Sequence, residues 1–142
     1  MKSIPKIGDM QFSSRLFLGT GKYRSNEEMV SSIKSSGTQV VTASLRRMDL
    51  GKGESLLKPL LENKFITILP NTAGARTAEE AVFYAELAEA AGLPKWVKLE
   101  LTPEPRYLLP DPVETLKATE ILVKKGFTVL PYINADPMLA LR

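Results

Sequence analysis

Cysteine and histidine are both absent from the 142 residues of this chain. Their absence excludes disulfides, thiolate or imidazole metal ligands, cysteine nucleophiles and every catalytic triad built on histidine. No apolar run approaches the ~18 residues that span a bilayer, and the N-terminal segment lacks the apolar core of a signal peptide. We therefore expect no membrane association and a cytoplasmic location. Any catalysis must use lysine, carboxylates or backbone groups.

An excess of one charge sign is also missing. The 19 Lys and Arg residues are scattered among 16 Asp and Glu residues, for a net charge of +3, so no nucleic-acid partner is expected. Hydrophobic residues make up 44% and charged residues 25% of the chain, as in ordinary globular proteins. At ~100 to 200 residues per domain, residues 1–142 are expected to form a single domain.

Five apolar runs have the composition of β-strands. They are Leu16–Leu18, Gln39–Leu45, Phe65–Leu69, Trp96–Leu101 and Phe127–Tyr132. Between them, Ser25, Thr77 and Asp111 each stand three positions before a Glu, which is the capping-box spacing at a helix N-terminus. Strands therefore alternate with helices along the chain.

Two further patterns support these helices. Small apolar residues recur at helical spacing after Thr77 and define a buried face: Ala78, Ala81, Val82, Ala85 and Ala88. Gly37, Gly92 and Gly126 stand where the three helices are expected to end.

Strand–helix units of this length predict right-handed crossovers and a parallel α/β fold. Two architectures fit: a five-stranded flavodoxin-like sheet, or the N-terminal five units of a (β/α)8 TIM-type barrel of ~250 residues. Asp136 and Pro137 begin a helix that has scarcely started by Arg142. Because an open sheet needs that helix to cover its last strand, we favour an incomplete (β/α)8 barrel over residues 1–142.

Three polar segments follow predicted strands. The turn at residues 19–22, Gly-Thr-Gly-Lys, matches neither a P-loop nor GxGxxG and is interpreted as a tight turn. The turn at residues 70–74 precedes the Thr77 box and would present amides suited to an anion. Arg46 and Arg47 are interpreted as a solvated turn rather than an anion or subunit contact.

Strand four carries two charged residues on one face. Alternation places Val97, Leu99 and Leu101 on one side and Lys98 and Glu100 on the other. Desolvation favours the neutral amine that attacks a carbonyl, whereas a neighbouring carboxylate favours the ammonium. Strand periodicity alone therefore leaves a catalytic pair and a structural ion pair both open.

Four segments resemble the thiazole synthase (ThiG) family of thiamin biosynthesis, in family order: residues 12–22, 69–74 with 77–81, 96–100 and 108–112. The resemblance extends from about residue 5 to 142. It implies a (β/α)8 barrel that condenses 1-deoxy-D-xylulose 5-phosphate with dehydroglycine (2-iminoacetate). Sulfur comes from the thiocarboxylate of a sulfur-carrier protein, and the product is the thiazole phosphate moiety of thiamin.

The resemblance also implies residue roles. The family's imine-forming lysine falls on Lys98, and the acidic residue implicated in proton transfer falls on Glu100. No cofactor or metal is implied, and a homo-oligomer, a tetramer in the family, is expected. The family's second acidic residue and phosphate-binding loops fall beyond residue 142, so this portion alone is expected to be inactive. The rival interpretation is a non-catalytic α/β module that binds a phosphorylated ligand.

The carrier is expected to contact loops that follow the strands. One such loop is Pro103–Pro112, and Arg106 is the residue in it chosen for a charge-reversal test.

Overall fold

The computed structural model describes residues 4–45, 60, 63 and 65–142. Within these residues the strands are β1 (Lys6–Ile7), β2 (Met10–Gln11), β3 (Phe17–Gly19), β4 (Val40–Ser44), β5 (Thr67–Asn71), β6 (Trp96–Leu99) and β7 (Thr128–Pro131). The helices with described bounds are α1 (Asn26–Ser36), α2 (Ala78–Ala90), α3 (Pro112–Lys124) and α4 (Pro137–Leu141).

All five predicted strands are present, as β3 to β7, but nine of their ten bounds differ from the prediction by one or two residues, most at β5 and at the end of β6. Phe65 is 87% exposed, and β5 begins only at Thr67, whose N–H donates to the Gln39 carbonyl at 2.8 Å. At the second of these places, β6 ends at Leu99, and Leu101 forms an isolated parallel bridge with Ala75. Strand pairing therefore begins and ends where backbone partners exist, which an apolar run does not reveal.

The parallel strands follow their chain order, β3-β4-β5-β6-β7, in one sheet. A flavodoxin-like sheet would reverse direction, with the order 2-1-3-4-5. The predicted parallel α/β fold is therefore confirmed, and the flavodoxin-like alternative is wrong.

The predicted helix starts are confirmed at all three capping residues. The Ser25 hydroxyl accepts from the Glu28 N–H at 3.2 Å, and the Thr77 hydroxyl accepts from the Glu80 N–H at 3.3 Å. The Asp111 carboxylate accepts from two amides of α3, each at 2.9 Å. Each N-cap thus satisfies amides that the first helical turn leaves without intrahelical partners.

The predicted helix ends are also confirmed. Gly37 is the C-cap of α1, with a left-handed φ of 65°. Gly92 and Gly126 directly follow the C-caps of α2 and α3, each with a φ of 83°. Glycine adopts this conformation without the Cβ clash of other residues.

Residues 1–69 form one compact unit. Its first two strands make an antiparallel hairpin in which Lys6 pairs with Gln11 and Ile7 with Met10. Gly8, at the intervening turn, has a φ of 56°. The sequence interpretation missed this hairpin, although a Gly-Asp pair between apolar residues is a hairpin signal.

Residues 70–142 form the second compact unit. In its core, side chains of α2 and α3 pack on one face of β6. The strand contributes Val97 and Leu99 together with Leu101 just beyond it, all 0% exposed. The predicted α2 face is confirmed, since its buried residues are Ala78, Ala81, Val82, Ala85 and Ala88. The residues that alternate with Val97 and Leu99, including Lys98, therefore lie on the opposite face of the strand.

Within the described residues, no helix has both the length and the apolar character needed to cross a membrane.

Candidate active site

Lys98 and Glu100 form an ion pair at the end of β6. The Lys98 Nζ lies 2.9 Å from the Glu100 Oε1. The side chains keep 41% and 18% of their surface exposed, respectively, so the amine is accessible while the carboxylate is mostly covered. The structure therefore brings the two predicted site residues together, on the face of β6 that its helices do not cover.

The neighbouring strands fix the position of Lys98. In β5, Asn71 is its register partner, and in β7, Leu130 is. The Thr72 N–H donates to the Lys98 carbonyl at 3.2 Å, and the Tyr132 N–H donates to the Leu99 carbonyl at 2.8 Å. Because β6 is bonded on both sides, the base of the lysine side chain has a defined position.

Thr72 is a polar neighbour that the sequence interpretation did not single out. Its hydroxyl donates to the Glu100 carbonyl and accepts from the Glu100 N–H, both at 2.8 Å. Thr72 is only 1% exposed. Nothing in a single sequence marks a threonine in a turn as the partner of a residue 28 positions away.

The amides around the start of α2, for which the sequence left anion binding open, are largely engaged by the chain itself. The Ala78 N–H donates to the Glu114 Oε2 at 2.6 Å, and the Arg76 N–H donates to the Glu80 Oε2 at 2.8 Å. The Ala73 N–H donates to the Asn71 Oδ1 at 3.2 Å. Two carboxylates thus occupy the place where a phosphate would bind, which disfavours this turn as an anion site.

The turn after β3, within residues 1–69, is tight, as predicted. The Thr20 N–H and hydroxyl both donate to the Thr42 carbonyl at 3.1 Å. Lys22 adopts a left-handed φ of 69°. Arg46 and Arg47, by contrast, lie outside the described residues.

The loop after β6 is closed by several hydrogen bonds. The Asp111 N–H donates to the Leu101 carbonyl at 2.9 Å, so the two ends of the loop meet. The Tyr132 hydroxyl donates to the Leu108 carbonyl at 3.2 Å. At the tip, the Arg106 guanidinium lies 3.3 Å from Glu104. The loop follows the strand end that carries Glu100, and it exposes Tyr107, Leu108 and Leu109 at 68%, 56% and 57%.

The chemistry available to this site is that of an amine beside a carboxylate. A primary amine attacks a carbonyl carbon once it has given up a proton, and the Glu100 oxygen at 2.9 Å is within reach to take that proton. Within the described residues, no group of three or more carboxylates could hold a metal ion.

Comparisons with known proteins give the family of this chain. The family model described as thiazole biosynthesis protein ThiG matches residues 6–142. A protein named thiazole synthase 2 from Syntrophotalea carbinolica is 59% identical over 134 residues, or 94% of this chain and 52% of that protein. A thiazole synthase from Syntrophobacter fumaroxidans is 57% identical over 136 residues, or 96% of this chain and 53% of that protein.

Proteins of lower sequence identity also match nearly all of this chain over about half of their own length. A thiazole synthase from Yersinia pseudotuberculosis is 53% identical over 96% of this chain and 51% of that protein. A crystal structure of the Amycolatopsis orientalis BexX/CysO complex superposes with a TM-score of 0.76 at 27% identity, over 96% of this chain and 56% of that one. The chain spans about half the length of the curated relatives it matches. Because the family match extends over nearly all of its residues, the chain belongs to the ThiG family of thiazole biosynthesis proteins.

Proposed function

We propose that this chain is part of a thiazole synthase that forms the thiazole phosphate moiety of thiamin. The substrates would be 1-deoxy-D-xylulose 5-phosphate, dehydroglycine and the thiocarboxylate sulfur of a carrier protein. The family match and the relatives named thiazole synthase support the activity. The five strand units would be the N-terminal part of a single (β/α)8 barrel domain. The observation that carries the residue roles is the 2.9 Å contact between Lys98 and Glu100.

In the proposed first step, the Lys98 Nζ attacks the ketone carbon of the sugar phosphate. The ammonium first gives a proton to Glu100, and the neutral Nζ then adds to the carbon while one of its remaining protons moves to the former carbonyl oxygen, which gives the carbinolamine. Its hydroxyl leaves as water when Glu100 returns the first proton. An iminium with the ketose results. The step needs no cofactor, and the first and last proton transfers use the carboxylate already in contact with the amine.

Borohydride trapping of the full-length protein tests these roles. Reduction in the presence of the ketose phosphate, followed by peptide mapping, is expected to place a stable adduct on Lys98. Lys98→Ala is expected to abolish both the adduct and thiazole formation. Glu100→Gln keeps the shape but removes the proton acceptor, and it is expected to slow trapping by about 100-fold or more.

Lys95 supplies a matched control. Its Nζ lies 2.9 Å from Glu89, and its side chain is 48% exposed, so its ion pair is as short as that of Lys98 and similarly accessible. Lys95→Ala is expected to leave trapping unchanged. An adduct on another lysine, or undiminished product formation by Lys98→Ala, would remove Lys98 from the proposed role.

The exposed loop Pro103–Pro112 is the proposed contact for the sulfur carrier. Its three exposed apolar side chains beside an arginine have the composition of a protein-binding surface. Arg106→Glu is expected to weaken carrier binding by about 10-fold or more. Titration calorimetry with the carrier checks this, and unchanged affinity would exclude Arg106 from the interface. A homo-oligomer, a tetramer as in the family, belongs to the same proposal and can be checked by sedimentation.

A further inference from the structure

We propose that Thr72 is a positioning residue for the Lys98–Glu100 pair, fixing the Glu100 peptide so that its carboxylate stays against the amine. The inference rests on the proposed function for its catalytic consequence, although its geometric part stands on the structure alone. Among the described residues, the Thr72 hydroxyl bonds only the backbone of Glu100, and it acts on the amine through that residue.

The Thr72 hydroxyl continues strand pairing past the end of the strands. Regular β5–β6 pairing places Asn71 beside Lys98, and the Thr72 N–H then bonds the Lys98 carbonyl. Two residues further along the chain, just past the end of β6, the same threonine bonds both backbone groups of Glu100 through its side chain. Backbone contact with the β5 side resumes only at the bridge between Ala75 and Leu101. The hydroxyl thus spans the gap in backbone pairing in which Glu100 lies.

The backbone N–H and the backbone carbonyl of Glu100 both depend on the Thr72 side chain. Within the part of the chain that the structure describes, neither of these two groups has another hydrogen-bond partner. Thr72 is 1% exposed, and its β-branched side chain has few rotamers. A stiff, buried hydroxyl with one donor and one acceptor bond holds the peptide in a single orientation.

The side chain of Glu100 depends on that orientation. The two backbone groups that Thr72 holds lie on either side of the Glu100 Cα and so fix the direction of its Cα–Cβ bond. A shift of this backbone would move the carboxylate away from the 2.9 Å contact with Lys98. Misplacing a reacting group by about 1 Å costs on the order of 100-fold in rate. Loss of the hydroxyl should therefore slow imine formation even though no reacting atom is removed.

Three substitutions separate the hydroxyl from the packing. Thr72→Val keeps the shape and removes both hydrogen bonds, Thr72→Ser keeps the hydroxyl and removes the methyl group, and Thr72→Ala removes both the hydroxyl and the methyl group. In the full-length protein we expect kcat for thiazole formation to fall about 10- to 100-fold with valine and with alanine. KM for the ketose phosphate should change less than about twofold, because Thr72 is buried beneath the site. Serine should restore kcat to within about threefold of wild type.

A double substitution tests whether Thr72 acts through Glu100. Thr72→Val combined with Glu100→Gln should be no slower than Glu100→Gln alone, because the carboxylate to be positioned is already gone. Fully multiplicative losses would overturn the inference, as would a valine variant that keeps wild-type kcat. If the valine variant does not fold, the alanine variant takes its place, and wild-type kcat there overturns the inference equally.

A spectroscopic measurement keeps the geometric part testable without activity. Lysines are reductively methylated with ¹³C-formaldehyde, and the Lys98 signal is assigned by its loss in Lys98→Arg. Thr72→Val should shift that signal in the direction that Glu100→Gln shifts it, whereas Thr72→Ser should leave it in place. If wild type forms no adduct at Lys98, the proposed function fails while this shift still decides the role of Thr72. An unmoved signal in Thr72→Val would refute that role.

Discussion

Removing the Glu114 carboxylate should loosen the start of α2, although Glu114 itself belongs to α3. Its Oε2 accepts the Ala78 N–H at 2.6 Å, and Ala78 is the first residue of α2. The same side chain lies in the first turn of α3. A single carboxylate therefore serves the N-termini of two helices.

The expected cost follows from the two interactions that are lost. A hydrogen bond to a charged group contributes about 1.5–3 kcal/mol, and a carboxylate near a helix N-terminus contributes about 0.3–1 kcal/mol for each helix. The two figures partly describe the same attraction between the carboxylate and the Ala78 amide, and Glu114 is half-buried, so we expect Glu114→Ala to destabilise the start of α2 by about 2–3 kcal/mol. Glu114→Gln keeps an acceptor oxygen and should cost about 1 kcal/mol.

Hydrogen exchange at the Ala78 amide measures this directly. At about 1.4 kcal/mol per factor of ten, Glu114→Ala should speed its exchange by about 30- to 150-fold, with a smaller effect for glutamine. Glu120→Ala is the matched control, since Glu120 is an exposed glutamate on the same helix that pairs with Lys124. If Glu114→Ala exchanges no faster than this control, the interhelical cap contributes nothing to stability.

Two further predictions concern α2 and α3. Thr115 is 2% exposed, and among the described residues its hydroxyl has no hydrogen-bond partner. Thr115→Val should therefore stabilise the protein by about 1 kcal/mol in urea unfolding, whereas Thr119→Val, which removes a hydroxyl bonded to the Thr115 carbonyl, should not. The hydrogen bond from Lys117 lowers the pKa of Glu79 to about 2. Because the folded-state pKa lies below the ordinary value of 4.5, the stabilisation is present above pH 4.5 and is lost as the pH falls toward 2. A carboxyl ¹³C titration should show this midpoint, Lys117→Met should return it toward 4.5, and an unmoved midpoint would contradict the cause.

Much of the fold could be predicted because its signals are local. A cap residue followed by a Glu marks a helix start, and Ser25, Thr77 and Asp111 all behave as their spacing predicts. What could not be predicted is where the Glu side chains go. Glu28 and Glu80 accept amides one residue before their own N-caps, and Glu114 crosses to another helix. A long flexible side chain takes the nearest unpaired amide in space, and spatial proximity is not encoded in spacing.

Of the candidate site, too, one part could be predicted from the sequence and another could not. Alternation along β6 placed Lys98 and Glu100 on one face, and the ion pair between them follows from that local geometry. Thr72 could not be predicted because its role depends on the pairing of two strands and on β5 ending one residue before it. The assignment of catalytic roles depended on the family resemblance, because a lysine beside a glutamate is equally consistent with a structural pair.

The alanine face of α2 limits how far the packing under the candidate site can adjust. Alanine has no side-chain rotamers to lose on burial, so the helix packs on β6 at little entropic cost. For the same reason it offers no adjustable side chain between helix and strand. On the α2 side of the packing between helix and strand, methyl groups predominate, and they cannot change rotamer to accommodate a shift of the strand. The end of β6 that carries Lys98 therefore packs on a helix face whose alanine side chains have no alternative rotamers.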